Sequence, residues 1–528
     1  MAARAPRTDP SRDASDPRWT LAVAILGSSM AFLDGTVVNV ALPVMQRELS
    51  MNVGLAQWIV EAYALMLASL VLVGGALGDR LGRKRVYLAG VALFALASAG
   101  CGLAPGASVL VGARAVQGVG AALLVPGSLS LISAAYGEKG RGSAIGTWSA
   151  FSAITGAIGP VAGGWVVAHG SWRWLFFFNV PVAVAVVVMA RRRVAETRDD
   201  DAPPSMDWLG AALATLGLGL VVYALVDSAD VAGAKRMLPL LVLGLLTLGV
   251  FVVVEARLRW PMVRLSLFRS RTFAGTNLLT LFLYAALGGA LFFVPFDLIQ
   301  VQGYSPAAAG AALLPLVFLV SAMSRWAGGL VARLGARPLL VAGPFVAAVG
   351  FLLLARPTTG GAYWSTFFPG IVVLGLGMGL TVAPLTAAVM GAVDARHSGV
   401  ASGINNAVAR AAGLLAIAAL GVLLTTRFDR VLDGKLAAMA LPSQVAGMVE
   451  AERGKLAAAD LSAAGEPTLR DALRAAFVEA YVAAFRSVML VSAGLAALGA
   501  VAAGALVEGK RGASAPAPRS SPPNTRAP

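Results

Sequence analysis

The chain has 528 residues, of which 58% are hydrophobic and only 13% are charged, and its formal net charge at pH 7 is +15. Soluble globular proteins carry about 25% charged residues, so this composition excludes an ordinary soluble domain. Apolar runs of about 20 residues recur along the sequence, and each is long enough to cross a bilayer of about 30 Å as a helix. The composition therefore indicates a membrane protein with many spans.

The positive charge and the rare residue types narrow the class further. A basic soluble protein would be a candidate nucleic-acid binder, but here the basic residues lie in short segments between apolar runs, so we expect no nucleic-acid partner. The single cysteine, Cys101, excludes an internal disulfide, and His169 and His397 are isolated in the sequence. Since metal sites need clustered ligands, we expect neither a metal nor another cofactor.

Fourteen apolar runs are predicted to span the membrane. They lie near residues 20–43, 55–77, 84–104, 107–133, 144–168, 172–190, 207–226, 237–255, 272–295, 305–325, 338–355, 361–390, 399–424 and 484–506. Placing the N-terminus in the cytoplasm puts the basic segments Arg80–Arg85 and Arg191–Arg193 on the cytoplasmic side, while the short outer loops hold few basic residues. The positive-inside rule therefore predicts that both termini are cytoplasmic.

Two carboxylates and one arginine lie inside the first apolar spans. Asp34 lies in the first span, Glu61 in the second and Arg114 in the fourth, at similar depths when each helical residue is counted as about 1.5 Å. A charge in the hydrocarbon core costs about 2.5–3.5 kcal/mol on insertion scales, so charges kept there mark ion or proton pathways. We expect one shared cluster, in which Arg114 favours an ionised acid while burial and the second carboxylate oppose it. The alternative is a fixed buried ion pair.

Other polar residues inside predicted spans are candidates for lining the same cavity or for hydrogen bonding between helices. They are Asn39, Gln57, Gln117, Asn405, Asn406 and Arg410.

The segment after the second span, GGALGDRLGRKR at Gly74–Arg85, places Asp79 among basic residues. Anchoring by positive charge explains the arginines but neither Asp79 nor the glycines, which allow helices to approach closely. Because these charges can pair differently when two bundles part or close, we predict a cytoplasmic gate. Its residues are Gly75, Gly78, Asp79, Arg80, Gly82, Arg83, Lys84, Arg85 and, in a second copy, Arg333.

This segment has a second copy, GGLVARLGAR at Gly328–Arg337, in which Arg333 aligns with Arg80 at an offset of 253 residues. Both copies fall on the predicted cytoplasmic side, as parallel repeated halves require. We therefore predict an all-α membrane protein of two six-helix bundles with two extra transmembrane helices between them.

The predicted division of the chain follows from this repeat. It gives an N-terminal tail 1–19, a first bundle 20–194, a two-helix insertion 195–262, a second bundle 263–507 and a disordered tail 508–528. The second bundle includes a long outer segment, 425–483. An amphipathic run in that segment, from Leu469 to Tyr481, predicts a helix at the outer surface before the last span.

Four stretches in order carry a family resemblance. GDRLGRKR and its echo near Arg333 resemble the cytoplasmic-loop signature of the major facilitator superfamily. Leu33–Pro43, Arg114–Gly120 and Gly156–Gly164 resemble the first-, fourth- and fifth-helix motifs of its fourteen-span drug:proton antiporters. The resemblance covers about residues 20–507 and implies the major-facilitator fold.

The resemblance implies a monomeric, proton-driven antiporter in the bacterial cytoplasmic membrane that exports lipophilic small molecules by alternating access. Protons would be the coupling ion, and the lipid bilayer the surroundings. The fifth-helix residues also space small side chains three or four apart, which allows close helix contact. They are Gly156, Gly159, Pro160, Gly163 and Gly164.

The sequence departs from the family pattern in two places. Ala332 stands where the second copy of the loop signature would carry an acid, so the charge network of that copy is reduced. Relatives that export divalent cations carry extra acids in the tenth or thirteenth span, where this chain has Ser321–Ser324 and Asn405–Asn406. Neutral or monocationic lipophiles therefore fit better than dications.

Two alternative functions remain open: a proton symporter that imports a metabolite and, less favoured, a lipid-moving protein. An enzyme is not expected, because no nucleophile motif, metal cluster or complete phosphate-binding loop occurs. The near match at Gly504–Arg511 has Arg511 in place of the hydroxyl residue and ends an apolar run instead of following a strand.

Overall fold

The computed structural model describes residues 16–136, 138–198, 205–226, 231–393, 398–439, 441–464 and 466–509, and every regular element in these ranges is helical. The first bundle contains α1 Pro17–Glu48, α2 Val53–Leu81, α3 Arg83–Gly102, α4 Ala107–Ala135, α5 Glu138–His169, α6 Arg173–Phe177 and α7 Asn179–Arg193. The insertion contains α8 Trp208–Val226 and α9 Val231–Arg257.

The second bundle begins with a 3-10 turn at Leu265–Arg269 and α10 Arg271–Phe296, which continues as a π-helical turn at Asp297–Val301. It continues with α11 Pro306–Ala312, α12 Leu314–Leu334, α13 Ala336–Leu354, α14 Tyr363–Thr366, α15 Phe368–Gly391, α16 Ser398–Leu436, α17 Ser443–Glu452 and α18 Pro467–Leu506. Two further 3-10 turns, Arg453–Ala458 and Ser462–Ala464, connect α17 to α18.

Thirteen helical segments in the described ranges are long and apolar enough to cross a membrane. They correspond to thirteen of the predicted spans, which confirms the all-α membrane class. The remaining predicted span, 144–168, lies inside α5, a helix of 32 residues some of whose side chains are outside the described part. The count of fourteen therefore stays a prediction.

The internal repeat seen in the sequence extends to backbone geometry and packing. α2 and α12 each end immediately before a glycine in the left-handed region, Gly82 at φ +112° and Gly335 at φ +80°, and a new helix follows directly. Gly90 and Gly343, again 253 residues apart, are both positions where a Cβ would lie 2.8 Å from the backbone of the next packed helix. The two bundles therefore repeat one helix–turn–helix arrangement.

The insertion packs across both bundles. α8 lies against α2 of the first bundle and α16 of the second, and α9 packs on α8 at the periphery. Leu65, Val222 and Leu414 meet in one buried apolar cluster at this junction. The inserted helices therefore contribute an interface between the halves.

The outer segment differs from the prediction. The amphipathic run is not a separate surface helix before the last span, because α18 begins at Pro467 and continues without interruption to Leu506. Its apolar face is buried: Phe477 packs on Phe428 with ring centroids 5.7 Å apart, and the Tyr481 hydroxyl lies 3.5 Å from the Phe293 carbonyl oxygen. α10 and α16 cover this face, and α16 itself continues past the predicted end at 424 to Leu436. The apolar stripe thus packs on protein instead of on the membrane surface.

The predicted tails lie mostly outside the described residues. α1 begins at Pro17, inside the predicted tail 1–19, and the Asp16 side chain caps it by accepting a hydrogen bond from the Arg18 N–H. Residues 1–15 and 510–528, including most of the tail predicted to be disordered, are not described.

Candidate functional site

Three of the predicted site residues form a closed polar triangle between α1 and α4. The Arg114 Nη1 group donates to Asp34 Oδ2 and, over 2.7 Å, to Gln117 Oε1. Gln117 Nε2 donates to the other Asp34 oxygen, Oδ1, over 2.9 Å. Both carboxylate oxygens of Asp34 are therefore bonded, and Arg114 and Gln117 reach them from adjacent turns of one helix.

Backbone and aromatic groups hold Arg114 in this position. Its Nε donates over 3.0 Å to the carbonyl oxygen of Ile59 on α2. Its guanidinium carbon lies 4.3 Å from the ring centroid of Tyr63, a distance at which a cation is attracted to the ring face. The Tyr63 hydroxyl in turn donates to Ala31 O of α1 over 3.3 Å. α1, α2 and α4 thus fix one arginine orientation.

The triangle is shielded from water. The exposed fractions of Asp34, Arg114 and Gln117 are 1%, 1% and 0%. Removing one partner of such a buried ion pair leaves an uncompensated charge, which costs about 3–5 kcal/mol.

The prediction that Glu61 shares this cluster is wrong for the conformation described. Glu61 is completely buried, but both of its carboxylate oxygens lack a hydrogen-bond partner, and it forms no ion pair with Arg114 among the described residues. A similar predicted depth does not determine which side of α2 a residue occupies. The structure therefore presents one acid paired with arginine and a second, separate buried acid.

The remaining polar candidates are distributed over other contacts. Gln57 donates over 2.8 Å to the Ile417 carbonyl oxygen and so joins α2 to α16 across the two bundles. Asn405 donates to Thr280 and Asn277 of α10 over 2.8 and 3.2 Å, whereas Asn406 bonds only within its own helix, to Ser402 O. Gln57 and Asn405 are thus inter-helix contacts, and neither joins the Asp34 triangle.

Asn39 and Arg410 also lie outside the triangle. The Asn39 Oδ1 atom is buried without a hydrogen-bond partner. Arg410 on α16 lies within electrostatic range of Tyr63. Tyr63 therefore contacts Arg114 of the first bundle and interacts electrostatically with Arg410 of the second. The sequence prediction missed it because a tyrosine in an apolar span carries no charge signal.

The predicted cytoplasmic gate forms contacts inside the first bundle. Asp79 pairs with Arg83 one helical turn later, at 2.7 Å. Glu196, which the prediction did not include, accepts hydrogen bonds from the backbone N–H groups of Lys84 and Arg85 at 2.9 and 3.2 Å. The Lys84 Nζ group donates to Val194 O at 2.6 Å. In this state the partners lie in the first bundle or, for Glu196, in the segment directly after it, so they form no latch between the two bundles.

The other predicted gate residues have different surroundings. Arg80 and Arg85 are exposed, and Arg333 lies in the last turn of α12. Gly75 and Gly78 make ordinary contacts; the close approach instead occurs at Gly74, where a Cβ would lie 2.0 Å from the Ala122 carbonyl oxygen. The residues 394–397 that precede α16 are outside the described part.

The fifth-helix motif lies between the two bundles. Cβ atoms on Gly159 and Gly163 would lie 2.0 Å from Thr36 Oγ1 and 2.3 Å from Val37 Cγ2 of α1. A Cβ on Gly164 would lie 2.2 Å from Pro306 O, and one on Gly310 of α11 would lie 1.9 Å from Pro160 O.

Gly156, in contrast, has no atom within 4 Å of its Cβ position, so its predicted packing role is not observed. α5 therefore joins α1 to the second bundle near its C-terminal end, and this contact requires glycine. Within the described residues no group of three side chains able to hold a metal comes together.

Known proteins with similar sequence or fold agree with this architecture. Residues 24–417 match the family described as Major Facilitator Superfamily. The chain is 35% identical over 416 residues to a puromycin resistance protein of Streptomyces alboniger, covering 78% of this chain and 82% of that protein. It is 34% identical over 430 residues to a tetracenomycin C resistance and export protein of Streptomyces glaucescens, covering 81% and 79%.

The fold is similar to that of an inward-facing, occupied bacterial homologue of the human lysosomal transporter Spinster. The TM-score is 0.65 at 16% identity, over 94% of this chain and 97% of that one. The family match covers most of the chain, and the relatives are more than 30% identical to it. Both findings agree with the motifs in the sequence and indicate a transporter, not an enzyme. The chain belongs to the major facilitator superfamily, and its relatives include drug- and antibiotic-resistance proteins.

Proposed function

We propose that this protein is a proton-driven antiporter that exports lipophilic small molecules across the bacterial cytoplasmic membrane by alternating access. The observation that carries the proposal is the buried Asp34–Arg114–Gln117 triangle, in which both oxygens of one acid are bonded to side chains of a neighbouring helix. The substrate class follows from the resistance and export functions in the names of the relatives.

The triangle supplies a competition between a proton and an arginine. While Asp34 is ionised, Arg114 and Gln117 bind both of its oxygens. Protonation makes Asp34 a neutral donor, and Arg114 then keeps its bonds to Gln117 and Ile59 while its charge becomes available to other partners. A monocationic substrate would compete with Arg114 for the same carboxylate, so proton and cargo would exclude each other.

Closure of the outer side accompanies this step. α5 contacts both α1, which carries Asp34, and α11 of the second bundle through glycine-dependent packing. A change in the position of α1 is therefore transmitted to the contact between bundles. Interfaces of this kind switch between discrete packed states instead of deforming continuously.

The membrane orientation and assembly belong to the same proposal. Lys84 binds Val194 O and Arg191 O, so the basic segment after α2 and the basic end of α7 lie on one face. The positive-inside rule places this face, and with it both termini, in the cytoplasm. The Asp34 site lies within one chain, so a monomer suffices.

The proton gradient provides enough free energy. A membrane potential of about 100 mV supplies roughly 2.3 kcal/mol for each charge moved. This corresponds to about a fifty-fold concentration ratio of substrate when one net charge enters per molecule exported. No nucleotide site is required.

Reconstituted vesicles test the proposal. An imposed pH gradient should drive export of a fluorescent lipophilic monocation, and Asp34→Asn should abolish it because the neutral side chain cannot exchange a proton. Glu255→Gln, which neutralises a buried acid at the end of α9, is the matched control and should retain export. Glu61→Gln determines whether the second buried acid also carries a proton.

The alternative functions give different results in the same vesicles. Uptake of substrate in the direction of proton flow would indicate a symporter and contradict antiport. Lipid movement that is independent of any gradient would indicate a lipid-moving protein. Export that persists in Asp34→Asn would remove the triangle from the mechanism.

A further inference from the structure

A cavity of about 750 Å³ opens at the outer face, away from the Asp34 triangle. Its wall combines the end of α1, the π-helical turn after α10, the 3-10 turn after α17 and the first turns of α18. Cavities of about 300–1,000 Å³ are typical of small-molecule sites. Both bundles and the long outer segment therefore build one open cavity of ligand size.

The charge of the wall is predominantly positive. The cavity is lined by four basic residues, Arg47, Lys455, Arg470 and Arg474, and by two acids, Asp460 and Asp471. Lys455 is neutralised by Glu452 at 2.6 Å. The three arginines form no ion pair among the described residues.

The two acids do not cancel this charge. A hydrogen bond from the Ser462 backbone N–H lowers the pKa of Asp460, so Asp460 is ionised at neutral pH and contributes one negative charge. Even with Asp471 also ionised, the arginines outnumber the acids. Three unpaired guanidinium groups around one cavity form a region of positive potential, which attracts anions.

A buried amide provides a second, independent indication of a ligand. Gln46, which is 2% exposed, lines the cavity, and its Nε2 group has no hydrogen-bond partner among the residues that the structure describes. Its Oε1 atom accepts a hydrogen bond from Gln300 Nε2 at 2.9 Å, which orients the free amide nitrogen. A buried donor without an acceptor costs about 1–3 kcal/mol, so an acceptor on a ligand would remove this cost.

The wall also has an apolar part. Ile299, Leu461, Phe477 and Val478 contribute hydrocarbon surface beside the polar groups. An anion with a purely polar surface would leave this area without a partner. The lining therefore fits a molecule that has an anionic group and an apolar body.

We propose that this outer cavity is a second ligand site, which binds the anionic group of an amphiphilic molecule through Arg470, Arg474 and the Gln46 amide. The anionic group belongs either to a soluble amphiphile outside the cell or to a lipid headgroup of the outer leaflet. Since α1 and the π-helical turn belong to different bundles, a bound ligand contacts both and favours the state in which their outer ends are together.

Binding can be measured without transport, so the test does not depend on the proposed antiport. The full chain in nanodiscs of phosphatidylcholine is titrated with naphthalenesulfonate by calorimetry. Replacing both arginines (Arg470→Gln/Arg474→Gln) should raise the Kd about tenfold, which corresponds to about 1.4 kcal/mol. Arg470→Lys/Arg474→Lys keeps both charges and should recover most of the affinity.

Two further variants make the result specific. Arg430→Gln removes an exposed arginine of α16 that does not line the cavity, and should bind as the wild type does. Gln46→Glu places a carboxylate where the free amide lies, and should weaken binding by repulsion. No binding to the wild type, or equal binding to the double glutamine variant, would overturn the site.

A second set of nanodiscs identifies the source of the anion. Phosphatidylglycerol replaces part of the phosphatidylcholine, and the titration is repeated. Competition with naphthalenesulfonate supports the site with a lipid headgroup as ligand. Unchanged affinity supports the site with soluble anions as ligands.

Discussion

The Gln117 side-chain amide helps to hold the ion pair at the Asp34 site in place. Gln117 lies one helical turn after Arg114 and bonds to both members of the ion pair. It therefore holds the carboxylate in line with the guanidinium. Without Gln117, Asp34 Oδ1 would lose its bond, while the ion pair through Oδ2 would persist.

Replacing this amide should slow transport without abolishing it. In Gln117→Leu we expect the export rate to fall about tenfold, because a hydrogen bond to a charged group is worth about 1.5–3 kcal/mol and part of this is recovered by relaxation. Gln444→Leu, which changes an exposed glutamine of α17, is the control. Export rates in vesicles at a fixed pH gradient provide the measurement, and an unchanged rate in Gln117→Leu would show that the amide has no role.

At the scale of helices, the contact between α5 and α11 connects the bundles near the C-terminal end of α5. Backbone touches backbone there, because neither Gly164 nor Gly310 has a side chain. A methyl group at either position would meet a carbonyl oxygen at about 2 Å, and a backbone atom cannot move away alone. The helices must therefore separate.

Gly164→Ala should shift the protein toward a conformation in which the two bundles are separated at this contact. Spin labels on Ser50→Cys, just after the C-terminal end of α1, and on Ala308→Cys in α11 report the separation by pulsed electron paramagnetic resonance. Cys101 is buried and should remain unlabelled. Gly156→Ala, whose added methyl group meets nothing within 4 Å, is the matched control. Identical distance distributions for the Gly164 and Gly156 variants would contradict the tight-packing argument.

The turn between α2 and α3 is a second element where one conformation is required. Gly82 has φ +112°, and its Cβ position lies 2.8 Å from a Glu196 carboxylate oxygen that caps α3. A residue other than glycine adopts this backbone conformation at a free-energy cost of about 1–2 kcal/mol. Gly82 therefore allows both the turn and the approach of Glu196.

Gly82→Ala should lower the melting temperature of the detergent-solubilised protein, because strain of about 1–2 kcal/mol adds to the displacement of Glu196. Gly75→Ala is the control on the same helix, since its Cβ would make an ordinary 3.5 Å contact with Pro126. Intrinsic fluorescence during heating measures both. Equal melting temperatures would mean that the turn adapts without cost.

At the scale of the whole molecule, the inserted helices are part of the contact between halves. Leu414 of α16 is 1% exposed and packs in the cluster that includes Leu65 of α2 and Val222 of α8. Gln57 adds a hydrogen bond between α2 and α16 a few residues away. The insertion thus stabilises one relative position of the two bundles.

Leu414→Ala should destabilise the protein by about 2 kcal/mol or more, because the cavity left between three helices cannot collapse fully. Leu245→Ala on α9, where the side chain is 56% exposed, should have little effect. Thermal unfolding in the same detergent compares the two variants. A loss of stability that is equal in both would show that α8 does not hold the halves together.

The sequence by itself determined the membrane class, most helix positions, the internal repeat and the Asp34–Arg114 pair. Hydropathy is local, so each apolar run predicts its own helix whatever surrounds it. The same reasoning predicted the ion pair, because two opposite charges at one depth in hydrocarbon have few other groups with which to pair.

Only the tertiary structure decided that Glu61 stays outside the pair, that α18 continues through the outer segment and that Gly164, not Gly156, touches the other bundle. It also supplied Tyr63, Glu196 and the arginine-lined outer cavity. Each of these depends on which side of a helix faces which neighbour. That choice is made by packing between residues tens to hundreds of positions apart, and no local pattern in the sequence records it.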